Sequence, residues 1–276
     1  MKNLLQRSLT GLVYITLILV GVLWNQYSFL ALFVLITILC LSEFYGLINK
    51  QKQTHINRTY DVFGGLVLFV CTYIYASGLH PSLEVYLFYV FYLVTVFVSN
   101  LYSKSKDPLK ELAYTVLGQI YIALPLSLLN FVVFSNNLYS GMSEYKSLFL
   151  LALFVFIWVN DTGAYLTGIT IGKHKLFKRI SPKKSWEGFF GGLVFSVVAS
   201  LVFYHFNQDI PYYHWMIMAA LVTVFGTWGD LVESLMKRTL KVKDSGASLP
   251  GHGGFLDRFD SLLLAAYVMV IYTHFI

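Results

Sequence analysis

The chain has 276 residues, of which 57% are hydrophobic and 12% are charged, and its formal net charge is +6. Its mean hydropathy is +0.65, which is more apolar surface than a water-soluble domain of this length can bury. The composition therefore excludes a soluble globular protein and predicts an all-α, polytopic protein in the lipid bilayer.

Nine apolar stretches are candidates for helices that cross about 30 Å of hydrocarbon, and the first and last are among the shortest. In chain order they cover 9–24, 28–47, 60–76, 83–101, 112–134, 147–170, 188–206, 214–228 and 261–276. The first follows Lys2 and Arg7, as the apolar part of a secretory signal would, but no small-residue cleavage site comes after it. We therefore predict about nine transmembrane helices.

Basic residues are placed asymmetrically around these spans. If the N-terminus is cytoplasmic, each of the 20 Lys and Arg residues except Lys146 falls on the cytoplasmic side. Because cytoplasmic loops retain basic residues, we predict a cytoplasmic N-terminus and a C-terminus outside the cell. The positive charge then belongs to the cytoplasmic face, and no nucleic-acid partner is expected. We predict one membrane domain over 1–276, with N-terminal helices over roughly 1–135 and a catalytic part over roughly 147–276.

Five residues inside the spans can be interpreted singly. We interpret Cys40 and Cys71 as small apolar fillers and expect Pro125 to kink the fifth span. Ionisable groups within a membrane are costly and usually functional. For Asp161 in the sixth span we therefore favour a role in a pocket over a buried structural pair. For Glu43 in the second span we favour the structural pair, because no motif surrounds it.

The loop after the sixth span reads "GKHKLFKRISPKKSWEG". Its basic residues over 173–179 favour a simple anchor to anionic lipid headgroups. Ser181 followed by Pro182 is typical of an N-cap and a first helical turn. A helix that begins there would place three phosphate-binding candidates at its start: Lys183, Lys184 and Ser185.

The longest polar passage, 234–260, contains aspartates with an informative spacing. Asp257 and Asp260 are three residues apart, so they share one face if the last helix begins near them. Asp230 ends the eighth span at the same membrane boundary. Gathered carboxylates favour a hard divalent cation such as Mg²⁺, with Mn²⁺ as the alternative. The simpler alternative is that Asp257 caps the helix and Arg258 neutralises it.

Basic residues and glycines accompany these acids. Lys237, Arg238 and Lys243 add positive charge, and the mixture of signs is typical of a site that holds a metal and phosphates. The glycines over 251–254 permit close approach of a ligand to the backbone. His252 lies among them, and we favour a role in orienting phosphate over one as general base.

Thirteen positions of this passage resemble the signature of the phosphatidate cytidylyltransferases, also called CDP-diacylglycerol synthases. They are Ser234, Lys237, Arg238, Lys243, Asp244, Gly246, Pro250, His252, Gly253, Gly254, Asp257, Arg258 and Asp260. The resemblance extends to "NDTGAYLTG" at 160–168 and to "SPKKSWEG", and so lies in the C-terminal 120 or so residues. Residues 1–150 resemble the family in hydropathy alone.

The resemblance implies that CTP and phosphatidic acid react to give CDP-diacylglycerol and pyrophosphate, with a divalent metal. By analogy, the metal ligands are Asp230, Asp257 and Asp260, with Asp244 as a further contributor. The residues assigned to the phosphates of CTP or to pyrophosphate are Lys237, Arg238, Lys243 and Arg258. Lys183, Lys184 and Ser185 would bind the lipid phosphate or share the triphosphate. Further expected substrate contacts are Asp161, Ser234, Gly253 and Gly254.

Three other functions are weighed against this one. A CDP-alcohol phosphotransferase needs an Asp-Gly start followed by Ala-Arg, which "DRFDSLLLAAY" lacks. A CTP-dependent lipid kinase would transfer only phosphate, and a cation transporter would explain Asp161 and Glu43 but not the thirteen matched positions. We expect a protein of the inner membrane with a cytoplasmic active site. A monovalent cation and a homodimer are open alternatives.

Overall fold

The computed structural model describes residues 2–51, 54–103, 105–136, 143–246 and 253–276, apart from the side chains of 2–9 and 135–136. Within these residues the chain is mostly helical. The α-helices are α1 (Lys2–Leu23), α2 (Gln26–Asn49), α3 (Arg58–Ala76), α4 (Leu87–Leu101), α5 (Pro108–Gly118), α6 (Leu124–Val133), α7 (Leu148–Ile171), α8 (Trp186–Phe206), α9 (Tyr212–Thr239) and α10 (Asp260–His274). Two short 3₁₀ helices cover Leu83–Tyr86 and Leu256–Arg258, and a π-helical turn covers Gln119–Ala123.

Every predicted span coincides with a helical segment. Seven segments of the described chain are long and apolar enough to cross a membrane, whereas Thr10–Leu23 and Asp260–His274 are shorter apolar helices. Two of these segments are buried least. In Leu83–Leu101 and Trp186–Phe206, only 17% and 22% of the most apolar 18 residues are buried. Outward-facing apolar surface of this kind suits contact with lipid. The prediction of an all-α, polytopic membrane protein is confirmed.

One compact unit of the chain comprises Met1–Ser147 together with Asp244–Arg258. Its apolar centre contains the fully buried rings of Phe29, Phe33 and Phe69, of which the last two stack with centroids 6.4 Å apart. These rings come from α2 and α3, so packing between the two helices buries them.

A buried polar network also ties this unit together. The carboxylate of Asp61 accepts hydrogen bonds from the hydroxyls of Tyr92 and Thr115, each 3.0 Å long. The side-chain amide of Gln119 donates to the Asp61 carbonyl at 2.8 Å and to the Tyr45 hydroxyl at 3.0 Å. Helices α2, α3, α4 and α5 thus share polar contacts that satisfy groups removed from water.

The helix type changes at Pro125, where a kink was predicted, and the kink itself stays a prediction. Pro125 lies in the first turn of α6, directly after the π-helical turn Gln119–Ala123. Proline has no N–H to donate to the preceding turn, so the regular α-helical bonding pattern changes there. Cys40 and Cys71 are both buried, in agreement with their predicted role as apolar fillers.

The second compact unit comprises Leu148–Lys243 and Phe259–Ile276. Its helices α7, α8, α9 and α10 surround aromatic side chains that include the fully buried Trp215. The Trp215 ring stacks on Phe203 of α8 with centroids 5.7 Å apart, and Phe203 meets Phe156 of α7 at 5.3 Å.

Helix α9 is longer than the predicted span, which ended at residue 228. It continues to Thr239, so Ser234, Lys237 and Arg238 lie on a helix, where the sequence analysis placed them in a loop. Basic residues in a last turn interact favourably with the helix dipole, which explains the extension beyond the apolar stretch. The helix ends where Lys241 adopts a left-handed φ of 58° and the Val242 amide bonds the Lys237 carbonyl.

Two antiparallel β-hairpins were not predicted. Strand β1 (Phe134–Asn136) pairs with β2 (Ser143–Tyr145), and β3 (Lys175–Phe177) pairs with β4 (Ser181–Ser185). Strands of three to five residues are too short to produce a recognisable alternation in the sequence.

Candidate active site

A cavity of about 230 Å³ lies in the second unit between α7, β4 and α8. Several of its lining residues were predicted as site residues: Asp161, Lys183, Lys184 and Ser185. Apolar walls come from residues such as Phe189 and Leu176. The sixth-span Asp161 thus lines a pocket, and its predicted role there stays a prediction.

The hairpin β3–β4 presents the two lysines, and this corrects the predicted helix start. Residues Ser181–Ser185 form a strand, and α8 begins only at Trp186. The N-cap is Ser185, whose hydroxyl accepts the Gly188 N–H at 3.1 Å. The Ser181–Pro182 pair was therefore wrongly interpreted as a cap, because the extended backbone from Ser181 pairs with β3.

Three carboxylates meet at the junction of α9 and α10. Asp230, Glu233 and Asp260 each place one carboxylate oxygen within 4.8 Å of the others. Asp230 and Glu233 are one helical turn apart on α9, and Asp260 is the first residue of α10. Glu233 is almost fully buried, with 1% of its residue surface exposed.

Gly229 permits α9 and α10 to come this close. A Cβ at Gly229 would lie 2.5 Å from the carbonyl oxygen of Asp260. Backbone atoms cannot yield as a flexible side chain can, so the position requires glycine for the observed approach. The side chain of Asp260 also accepts the Ser261 N–H at 2.6 Å, which fixes the start of α10.

Two lysines flank the carboxylate cluster. Lys184 Nζ lies 2.5 Å from Asp230 Oδ2, and Lys237 Nζ lies 2.5 Å from Glu233 Oε2. Ser234 donates to the other carboxylate oxygen of Asp230 at 3.2 Å. Three carboxylates and two ammonium groups leave one net negative charge when all are ionised. The group can therefore attract a cation and still offer ammonium groups to phosphate.

The donor set fits the divalent metal that the sequence predicts. All three acidic side chains of the cluster supply oxygen atoms, and they converge without thiol or imidazole ligands in the described part of the chain. Hard oxygen donors from one to three carboxylates are those that Mg²⁺ and Mn²⁺ accept. Asp230 and Asp260 were predicted as ligands, whereas Glu233 was not.

Asp257 belongs to the first compact unit and has different partners. Its carboxylate accepts the Gly254 N–H at 2.8 Å and the Ser245 N–H at 3.1 Å. It lies in the 3₁₀ helix Leu256–Arg258, and α10 starts after it. The expectation that Asp257 and Asp260 share the first turn of the last helix was therefore wrong, because the backbone bonds of Asp257 hold it in the preceding turn. Its assignment as a metal ligand stays a prediction.

Two glycines of the signature, Gly253 and Gly254, lie where the backbone favours glycine, whereas the predicted approach of a ligand to them stays a prediction. Gly253 has a φ of +84°, a left-handed conformation that glycine adopts without strain. A Cβ at Gly254 would lie 2.6 Å from the Gly246 nitrogen and even closer to the Ser245 hydroxyl. The observed backbone conformation therefore requires glycine at both Gly253 and Gly254.

The other predicted residues lie at the surface or outside the described chain. The exposed ones are Arg238, Lys243, Asp244 and Arg258. His252 and Pro250 lie outside the described residues. Their assigned roles stay predictions.

Sequence reasoning missed Glu233 and gave Glu43 a structural role without identifying its partners. Glu233 lies one turn after Asp230, and that i, i+3 spacing on a helix is a signal that could have identified it. Glu43 accepts hydrogen bonds from Ser245 and Leu256 of the signature loop, each 2.9 Å long. No local signal marks Glu43, because its partners are more than 200 residues away in the sequence.

Comparison with known proteins identifies related sequences over nearly the whole chain. The model of the cytidylyltransferase family matches residues 5–276. The phosphatidate cytidylyltransferase of Bacillus subtilis (strain 168) is 34% identical over 272 residues, which cover 95% of each chain. That of Staphylococcus aureus (strain COL) is 40% identical over 166 residues, or 58% of each chain. The family match therefore includes both compact units.

Proposed function

The chain belongs to the cytidylyltransferase family, and we propose that it transfers CMP from CTP to phosphatidic acid. The products are CDP-diacylglycerol and pyrophosphate, and the reaction belongs to phospholipid biosynthesis. The observation that carries the proposal is the cluster of Asp230, Glu233 and Asp260 with its flanking lysines. A relative named for this activity is similar over 95% of the chain.

The chemistry suits residues that position phosphates. An oxygen of the lipid phosphate attacks the α-phosphorus of CTP, and the bond from that phosphorus to the oxygen bridging to the β-phosphate breaks. The attacking phosphate monoester has a second pKa of about 6 and is largely dianionic near neutral pH. No side chain must remove a proton from it, so we assign His252 to orienting phosphate.

Lysines at the cavity are suited to hold the two anionic reactants. Lys183 and Lys184 line the cavity, and Lys184 already lies beside Asp230. We assign these two residues and Ser185 to the lipid phosphate or a shared triphosphate oxygen. Lys237, Arg238, Lys243 and Arg258 are assigned to the phosphates of CTP and to the departing pyrophosphate.

A divalent cation is part of the proposal. Asp230 and Asp260, with Glu233 added by the structure, would hold Mg²⁺ or Mn²⁺, and Asp257 and Asp244 remain candidate contributors. Such an ion neutralises charge on the triphosphate and on the leaving pyrophosphate. A monovalent cation beside it stays an open alternative.

The proposal includes an orientation in the membrane. We place nine helices across the bilayer, with the N-terminus in the cytoplasm, the C-terminus outside and the active site on the cytoplasmic face of the inner membrane. The support is the distribution of 20 basic residues, of which Lys146 alone falls on the other side. The homodimer, an open alternative, is tested separately by the mass of the purified protein in detergent.

The test uses CTP labelled at two positions. Purified protein is incubated with phosphatidic acid and CTP that carries ³²P in either the α- or the γ-phosphate, with Mg²⁺ or with EDTA. We expect the α-label in the lipid, no γ-label, and loss of transfer in EDTA. Transfer of the γ-label would indicate a lipid kinase and overturn the proposal. The variant Asp260→Asn serves as the inactive control.

A further inference from the structure

Glu43 bonds to both ends of the stretch 244–258, which is called the signature loop below. Its Oε2 atom accepts the Ser245 hydroxyl and the Leu256 N–H, each at 2.9 Å. One carboxylate oxygen on α2 therefore bonds residues from both ends of the stretch 244–258.

The glycines of the loop make room for this carboxylate. A Cβ at Gly246 would lie 2.7 Å from Glu43 Oε1, and one at Gly254 would lie 2.7 Å from Oε2. Two signature glycines thus pack against the same side chain. The requirement for glycine at these positions follows in part from the presence of Glu43.

Asp257 completes the arrangement from within the loop. Its carboxylate accepts the N–H groups of Ser245 and Gly254, so the residues that flank Glu43 are also bonded to each other through Asp257. Ser245 is almost fully buried, with 3% of its surface exposed. A buried polar network in which every member has its partner is rigid and fixes one conformation.

We propose that Glu43 is a positioning residue for the CMP transfer: it fixes the conformation that presents Arg258 to the phosphates of CTP and Asp244 and Asp257 to the metal that CTP would bind. This inference rests on the proposed function, because those three residues take their role from it. An ionisable group in a membrane helix is costly and usually functional. Here the cost is offset by the hydrogen bonds that the carboxylate accepts from the loop.

The first arm of the test reads the loop without any assay of activity. Hydrogen exchange followed by mass spectrometry is compared for wild type, Glu43→Ala and Glu43→Gln. We expect faster exchange in peptides covering 244–258 in Glu43→Ala, and unchanged exchange in peptides from α7. Glutamine keeps one oxygen that can accept both hydrogen bonds, so Glu43→Gln should stay near wild type. The matched control is Glu111→Ala, which removes a buried carboxylate that accepts the His55 N–H of the same unit at 2.7 Å.

The second arm measures steady-state kinetics of the same variants. In Glu43→Ala we expect the KM for CTP to rise about tenfold while the KM for phosphatidic acid changes less than about twofold. In Glu43→Gln the KM for CTP should stay close to the wild-type value, and in Glu111→Ala it should be unchanged.

Two results would overturn the inference. One is unchanged exchange over 244–258 in Glu43→Ala, and the other is faster exchange with an unchanged KM for CTP. Failure of the proposed function looks different, because the wild-type protein would then transfer no CMP while the exchange arm would still report on the loop.

Discussion

Asp260 lies within a group of three carboxylates, so its charge affects the whole cluster. We expect Asp260→Asn to lower turnover to less than about a tenth of wild type, because the amide removes a negative charge from the proposed metal site. The Mg²⁺ concentration for half-maximal activity should rise about tenfold or more. Titration of activity with Mg²⁺ measures both effects.

Asp209→Asn is the matched control for that variant. Asp209 is exposed in the loop between α8 and α9, so its loss of charge should leave the Mg²⁺ requirement unchanged. Asp257→Asn belongs to the same comparison, since the sequence assigns Asp257 to the metal while its carboxylate accepts two backbone N–H groups. More than a tenth of wild-type turnover in both Asp257→Asn and Asp260→Asn would contradict the assignment.

At the scale of single residues, the sequence predicts those side chains that belong to a dense motif. Asp230 and Asp260 were predicted as partners, and the structure brings them together. Asp230 and Glu233 both precede the signature positions: Asp230 was identified because it ends an apolar span, whereas Glu233 was missed although it is the most buried member of the cluster. The partners of Glu43 could not be predicted, because hydrogen bonds between residues about 200 positions apart leave no trace in local spacing.

At the scale of elements, the start of α8 combines a structural and a functional prediction. Ser185 caps the helix and also lines the cavity. We expect Ser185→Ala to destabilise the protein by about 1 kcal/mol through loss of the cap. Turnover should fall as well, because the sequence assigns the same hydroxyl to phosphate. Thermal unfolding in detergent and the CMP-transfer assay measure the two effects.

Ser200→Ala provides the control on the same helix. Ser200 is buried and its hydroxyl donates to the Val197 carbonyl within α8, away from the cavity. This variant should keep turnover within about twofold of wild type. Normal turnover in Ser185→Ala would contradict a role of Ser185 in substrate binding. Capping of α8 would then be its remaining role.

Helices were predictable here because a membrane span needs a long apolar stretch, and that length is visible in the sequence. The end of α9 was not predictable, since hydropathy falls after residue 228 while the helix continues to Thr239 with charged residues. The β3–β4 hairpin was missed for a related reason. Ser181–Pro182 is typical of a helix start, and only pairing with Lys175–Phe177 makes this segment a strand.

At the scale of the whole molecule, the signature passage is divided between two compact units. Asp244–Arg258 groups with the N-terminal helices, whereas residues up to Lys243 and from Phe259 group with α7–α10. The sequence places the whole passage in a C-terminal part, because neighbouring residues are assumed to belong together. The hydrogen bonds of Glu43 with Ser245 and Leu256 give a physical reason why this stretch groups with the N-terminal helices.

Helix α7 allows a test of the orientation of the molecule. It has 24 residues and a length of about 36 Å at 1.5 Å per residue, enough to cross about 30 Å of hydrocarbon. Lys146 precedes it by two residues and Lys175 follows it by four. The two lysines therefore mark opposite sides of the membrane if α7 spans it.

Cysteine labelling decides which side is which. In intact cells, a membrane-impermeant maleimide should label Lys146→Cys, whose position is solvent-exposed beside Glu144, and should not label Lys175→Cys. Permeabilised cells should label both, and the wild-type chain should label weakly, because Cys40 and Cys71 are buried. The expectation follows from the basic residues, which concentrate on the side of Lys175. Labelling of Lys175→Cys alone in intact cells would invert the orientation and place the lysines of the β3–β4 hairpin on the side away from cytoplasmic CTP.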